Sequence, residues 1–204
     1  GDKRNLVDIA KSVVKTSELD NIEEVYDSLQ MKIRPLSKTT QKYEEIVNRV
    51  HRTQSDKHRF DIKVKNVYEI NKPEWDDKFN PHKVRVNLLY HGSRTENFLN
   101  ILQSGLRIKP PGAAHTGSMF GNGIYFADQS TKSANYCWGF NRVRGTFYMM
   151  VCEVAVGKMF DLQHADSSIR SAPKGYNSVR GVKGSSLLHN EVIVYNESQA
   201  NIRY

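Results

Sequence analysis

Hydrophobic positions along the first fifty residues return at the spacing of one helix face. Leu6, Ile9 and Val13, with Ala10 and Val14, predict an amphipathic helix over 4–16. Ile22, Val25, Tyr26 and Leu29 predict a second over 21–30, after a cap at Asp20. A break from Pro35 to Thr40 precedes a third, carrying Tyr43, Ile46, Val47 and Val50. Apolar stripes of this kind are packing faces before they are ligand contacts. From residue 59 the period changes to two: RFDIKVKNVYEI (59–70) alternates Phe60, Ile62 and Val64, its phase slipping near Asn66. A polar, proline-bounded connector (71–83) leads to VRVNLLYHGS. Short strand-like runs then alternate with glycine-rich turns: GNGIYFA, GTFYMMVCEVAV, GKMFDL and SLLHNEVIVY. FLNILQSGL (98–106) is the one helical pattern of this half, stopped by Gly105. The expected class is α+β, a mostly antiparallel domain preceded by a short N-terminal helical segment. The boundary falls near residue 55, dividing the chain into 1–55 and 56–204.

Composition narrows the function classes. A chain of 204 residues with 38% hydrophobic content makes one domain of ordinary size, or one with a small appendage, and can bury a real core. The mean hydropathy is −0.61, and no stretch approaches the roughly 18 apolar residues of a spanning helix. The start, GDKRNLVDIAK, has no signal-peptide apolar block. Cys137 and Cys152 form no CxxC and no regular Cys/His spacing, which argues against a disulfide framework and a zinc site and for a reducing, intracellular setting. A formal charge of +8 favours acidic partners such as nucleic acid or a phosphate-rich ligand. The basic residues are scattered, so charge alone identifies nothing.

Candidate chemistry sits in three clusters: YHGS at 90–93, GIYFADQSTKSANYC at 123–137, and Glu191 inside an apolar run that otherwise belongs in a sheet interior. GNG opens no GxGxxG fingerprint, there is no GKS/T loop, and HGS lacks the G-x-S-x-G elbow. Each residue alone has a plain reading. His91 serves as a structural histidine, Tyr125 and Tyr136 as core aromatics, Gly92 as a turn glycine, Ser133 as a helix cap, and Glu191 as a partner of Arg94 or Arg180. Together they offer two flat aromatic faces, polar groups at a strand end, backbone amides open to close approach at Gly92, and one carboxylate. Such a pocket suits a planar amide attached to a sugar, as in nicotinamide riboside.

LLYHGSRTENFLNILQSGLRI, MFGNGIYFADQSTKSANYC and LLHNEVIVY, in that order, resemble the catalytic domain of the poly(ADP-ribose) polymerases, diphtheria-toxin-like ADP-ribosyltransferases. The resemblance covers residues 56–204, and DNIEEVYDSL up to about residue 52 is similar to the end of the helical regulatory domain of that family. It implies NAD+ as co-substrate, no metal, and the family's His-Tyr-Glu signature at His91, Tyr125 and Glu191. It implies that His91 and Ser93 hold the adenosine-side ribose and that Gly92 and Ser133 read the carboxamide. Tyr136 would stack on the nicotinamide with Tyr125 opposite, while Asn97 and Arg107 belong to the adenosine side along with the 109–119 loop. Glu191 would be the catalytic carboxylate, with Lys132 beside it. Acceptors would be proteins, the chain itself included, and the growing ADP-ribose polymer. A nuclear location, a role in the DNA damage response and nucleic-acid contacts through other regions of a full-length protein are implied in the same way.

The sequence also departs from the family pattern. KGYNSVRGVKGSS runs almost straight into LLHNE where the DNA-dependent members carry a long acceptor-side loop, and His189 stands where they usually have tyrosine. Mono- or oligo(ADP-ribosyl) transfer is therefore the alternative activity, and a silent NAD- or ADP-ribose-binding module a more distant one.

Overall fold

The computed structural model describes residues 22–57, 60–110, 118–137, 145–184 and 187–204, with side chains from Tyr26 onward. The helix expected over 4–16 and its neighbour's cap at Asp20 lie outside these residues. Helices α1 (Ile22–Leu29), α2 (Gln41–Arg52), α3 (Pro73–Phe79), α4 (Phe98–Ser104) and α5 (Ser130–Ala134) alternate with nine strands: β1 (Lys32–Pro35), β2 (Tyr68–Asn71), β3 (Val86–His91), β4 (Ile124–Ala127), β5 (Met150–Ala155), β6 (Met159–Leu162), β7 (Ser178–Gly181), β8 (Glu191–Val194) and β9 (Ala200–Ile202). Seven strands form one sheet in the order β6-β7-β8-β4-β3-β5-β9. Every pairing in it is antiparallel except β6 with β7. This is the mostly antiparallel α+β architecture expected from the sequence. Among the described residues no helix is long and apolar enough to cross a membrane.

Local chemistry explains the elements. Thr40 caps α2 by accepting the Tyr43 N–H, and Arg49, His51 and Arg52 occupy the last turn, where cations oppose the helix dipole. Ile46 and Val50, expected on one stripe, are its buried residues. Gly105 ends α4 with φ +74°, a conformation that favours glycine. The strand-like runs in 84–91 and 147–156 become β3 and β5, whose apolar residues Leu89, Cys152 and Val154 join Phe126 and Val192 in the main core.

Some expectations change. The run 60–67 is irregular, and the strand begins only at Tyr68, because its partner β1 reaches from Lys32↔Asn71 to Pro35↔Tyr68 and no further. The connector 71–83 holds a helix, α3, with Pro73 in its first turn. Strand β8 is shorter than its apolar run: residues 188–189 bend, Leu188 is 67% exposed, and His189 is buried in its place. Glu191 thus opens the strand instead of standing in its middle.

Residues on the two sides of position 55 are closely joined. Beyond the β1–β2 ribbon, Thr53 Oγ1 lies 2.7 Å from the Tyr90 hydroxyl, and Ser130 Oγ donates to the Val50 carbonyl at 2.7 Å. Tyr90 is 1% exposed, so its hydroxyl depends on Thr53 for a partner. Tyr90→Phe should lower stability by about 0.5–1.5 kcal/mol, the net value of one such hydrogen bond. Urea denaturation followed by tryptophan fluorescence and by circular dichroism should show the shift in one coincident transition.

Candidate active site

Three neighbouring strands carry the chemistry. In the sheet β4 lies between β3 and β8, and the register aligns Tyr90 with Ala127 and Ala127 with Glu191. His91 therefore ends β3 one residue past that row, Tyr125 sits two residues back along β4, and Glu191 begins β8. Helix α5 follows β4 after two residues, and Lys132 and Ser133 line the same cleft as the strand-borne residues. All ten residues singled out from the sequence line one cleft of about 570 Å³: His91, Gly92, Ser93, Asn97, Arg107, Tyr125, Lys132, Ser133, Tyr136 and Glu191.

The Glu191 carboxylate meets the Lys132 ammonium at 3.0 Å, with both side chains only 12% exposed. Neither arginine considered from the sequence reaches it: Arg94 pairs with Glu96, and Arg180 forms a bidentate pair with Asp161. Lys132 spends its remaining donors on the carbonyls of His189 (3.2 Å) and Asn190 (3.5 Å). The ammonium is fully engaged, while Glu191 Oε2 has no partner among the described residues and faces the cleft.

His91 presents one usable nitrogen. Its Nδ1 lies 2.8 Å from the Tyr125 carbonyl, which can only accept, so Nδ1 carries the proton and Nε2 is left as an acceptor. Burial holds the ring below the usual histidine pKa, against the smaller opposing pull of that carbonyl. Phe126 braces the ring edge-on at 5.6 Å.

Tyr125 is a fixed wall. Its hydroxyl donates to the Gly121 carbonyl at 2.6 Å and accepts the Phe120 N–H at 2.9 Å, and burial pushes its pKa up to about 12. Tyr136 is the opposite case, 59% exposed with an open ring face on the cleft. Ser133 is buried inside α5, not at its cap, and its hydroxyl makes no bond with the described protein atoms. Gly92 packs so closely on the Ser133 carbonyl that a Cβ there would overlap it. Only glycine fits, and its backbone amide lies at the cleft surface.

The remaining site residues lie toward the rim. Asn97 donates to Ser93 Oγ at 3.2 Å, and Arg107 pairs with Glu197 at 3.5 Å, exposed. Of the 109–119 loop, residues 111–117 lie outside the described residues. Sequence reasoning missed Asn190, whose Oδ1 accepts the Lys183 N–H at 2.7 Å, and Tyr195, whose hydroxyl donates to the Phe120 carbonyl. An asparagine just before a strand and a tyrosine just after it were the available signals.

Comparison with known proteins identifies the family. The family model described as "Poly(ADP-ribose) polymerase catalytic domain" matches residues 40–186. The chain is 36% identical over 239 aligned positions to "Poly [ADP-ribose] polymerase 1" of Xenopus laevis, covering 98% of this chain and 24% of that protein. It is 32% identical over 234 positions to "Poly [ADP-ribose] polymerase 2" of Homo sapiens, covering 97% of this chain and 40% of that protein. The chain thus spans about a quarter of the length of the first relative. With 204 residues against 239 aligned positions, at least 35 positions of that relative have no counterpart here.

Two outcomes follow from the geometry. Lys132→Met strands a poorly solvated carboxylate and should cost about 3 kcal/mol of stability. Combined with Glu191→Gln it should cost less than the two singles added, with a coupling of at least about 1 kcal/mol in urea denaturation. His91 gives a pH signature. Its folded pKa lies below the unfolded value of about 6.5, so the unfolded chain takes the proton first and stability falls as pH drops from about 6.5 toward the folded pKa. The His91 ring signals in a carbon-detected NMR titration should move only below pH ~6.5.

Proposed function

Because this chain belongs to the family of poly(ADP-ribose) polymerase catalytic domains, we propose that it is an NAD+ ADP-ribosyltransferase. It cleaves the nicotinamide–ribose bond of NAD+ and transfers ADP-ribose to protein acceptors, itself included, and to growing ADP-ribose chains. The observation that carries the reading is the Lys132–Glu191 pair set opposite an open tyrosine face in one cleft.

The residues fit NAD+, which is here a substrate. The Gly92 backbone and the unbonded Ser133 hydroxyl supply a donor–acceptor set for the planar carboxamide, and the open Tyr136 ring supplies a stacking surface. His91 Nε2 accepts from a ribose hydroxyl while Nδ1 stays committed to Tyr125. Ser93, Asn97 and Arg107 line the part of the cleft assigned to the adenosine side. Departure of nicotinamide leaves positive charge on the ribose, the same demand that glycoside cleavage makes of a carboxylate. Glu191 Oε2 accepts from the ribose hydroxyl and stabilises that charge, while Lys132 holds the carboxylate in place. The same carboxylate then polarises the incoming acceptor hydroxyl.

Residues 56–204 hold every proposed contact with NAD+. We take residues up to 55 as the lead-in that braces them, through the bonds that Val50 and Thr53 make to Ser130 and Tyr90. A nuclear setting and a part in the DNA damage response belong to the same proposal and rest on family membership. One observation favours short products: only residues 182–190 separate β7 from β8, so little chain is available to hold a long polymer beside Glu191.

Incubation with labelled NAD+ tests the reading. Wild type should release nicotinamide and label itself, and Glu191→Gln should lower the release rate by at least about 100-fold, the scale of losing a preorganised charge stabiliser. Labelled product on a sequencing gel should form a ladder; a single ADP-ribose addition would replace elongation by mono-transfer. Label uptake unchanged in Glu191→Gln would remove that residue from the chemistry.

A further inference from the structure

Glu191 is the first residue of its strand, and what precedes it lies outside the ladder. Residues 187–190 belong to no strand, and Leu188 points to solvent. On the surface this stretch is tied by the Gly184 N–H on the Leu187 carbonyl, by Asn190 Oδ1 on the Lys183 N–H and by Asn190 Nδ2 on Asp128 Oδ2 at 3.4 Å. Strand ends open before strand centres, so side-chain anchors count there. The buried side-chain anchor is His189: the residue is 7% exposed, and Nε2 lies 2.7 Å from Ser55 Oγ.

Ser55 is itself fixed from several sides. Its N–H donates to Thr131 Oγ1 at 2.9 Å, and its Oγ accepts the Lys57 N–H at 3.2 Å. Two residues earlier, the Thr53 carbonyl accepts the Ser130 N–H at 3.1 Å. The turn after α2 therefore grips the start of α5, which carries Lys132, and through the His189 ring it grips the entrance of β8, which carries Glu191. The two halves of the ion pair are referred to one support. The His189 and Asn190 carbonyls close the circuit by accepting from Lys132.

We propose that His189 is a positioning residue: its ring, anchored on Ser55, holds the peptide that shares the Lys132 ammonium with Glu191 and so fixes the carboxylate at the ribose. This rests on the transferase reading above. The anchor touches neither face of the nicotinamide pocket nor the adenosine end, so it acts on turnover and leaves NAD+ binding alone. A packing role would instead lower stability and the amount of active protein.

The test uses the 204-residue chain with Ser55→Ala, His189→Ala, the double substitution and His189→Gln, whose amide can bond the serine either way. Nicotinamide release should show kcat about 5–10-fold lower in each alanine single, the rate equivalent of one hydrogen bond. KM for NAD+ should stay within about twofold, the double should be no slower than the worse single, and His189→Gln should recover most of the rate. A second readout needs no activity: amide hydrogen exchange at Glu191 should accelerate about 5–10-fold in Ser55→Ala at matched global stability. Additive losses, a change confined to KM, or unaltered exchange at Glu191 would each overturn the proposal. A wild-type chain that releases no nicotinamide defeats the transferase reading, and the exchange measurement then decides the anchor by itself.

Discussion

The Lys132–Glu191 contact is the constraint around which the molecule is arranged. A carboxylate at the mouth of a sheet, 12% exposed, is tolerable only beside a charge of opposite sign with its own hydrogen bonds satisfied. Lys132 meets that condition because α5 is short and follows β4 after only two residues, and β4 pairs directly with β8, so the Lys132 side chain reaches Glu191. A helix of five residues has little stability of its own. Its anchor is external: the Ser130 hydroxyl and N–H bond the Val50 and Thr53 carbonyls at the end of α2. The ion pair at the cleft floor thus depends on a turn from the N-terminal helical segment.

Sheet order converts sequence order into a site. His91, Tyr125 and Glu191 are separated by tens of residues, yet β3, β4 and β8 are consecutive in the sheet. Two-sided pairing of β4 makes it the only strand of the three that touches both others, and its carbonyl at Tyr125 sets the tautomer of His91. The central strand therefore controls two functional groups by backbone geometry. Substituting the Tyr125 side chain leaves that carbonyl in place, so the orientation of His91 is insulated from the chemistry of the wall.

Much of this was legible in the sequence, and the failures have physical causes. The helical spacing of Ile46 and Val50 translates directly because α2 buries one face, and the apolar run in VRVNLLYHGS becomes a strand whose neighbours Leu89 and Tyr90 are both buried, on opposite faces. The strands β1 and β7 are four residues each and carry a proline or a glycine at their ends, too little pattern to detect against the turn signals around them. The site residues were identifiable as a set through their resemblance to a family, but their partners were not. From the residues alone Glu191 could be assigned to Arg94 or Arg180, and the resemblance put Lys132 near it; the direct ion pair follows from the sheet register and the placement of α5. His189 shows the same limit: Leu188 reads as sheet interior, yet it is 67% exposed while His189 is buried with a hydrogen-bond partner 134 residues away.

The two ends of the cleft differ in how firmly they are built, and this bears on selectivity. On the Tyr125 side one buried ring, Phe120, with no exposure, connects the pieces. Its N–H meets the Tyr125 hydroxyl, its carbonyl takes the Tyr195 hydroxyl, and its ring lies against Gly181, where a Cβ would overlap it. Gly92 fills the gap over Ser133 with the same lack of room. These contacts leave no space for side-chain adjustment, so on the proposed reading a flat amide would meet fixed backbone and ring positions, which cost little to organise on binding. At the other end Arg107 and Glu197 form an exposed pair at the rim, free to rearrange with a charged ligand. On that reading, discrimination against the wrong ring would come from the packed end and tolerance for the attached nucleotide from the open one.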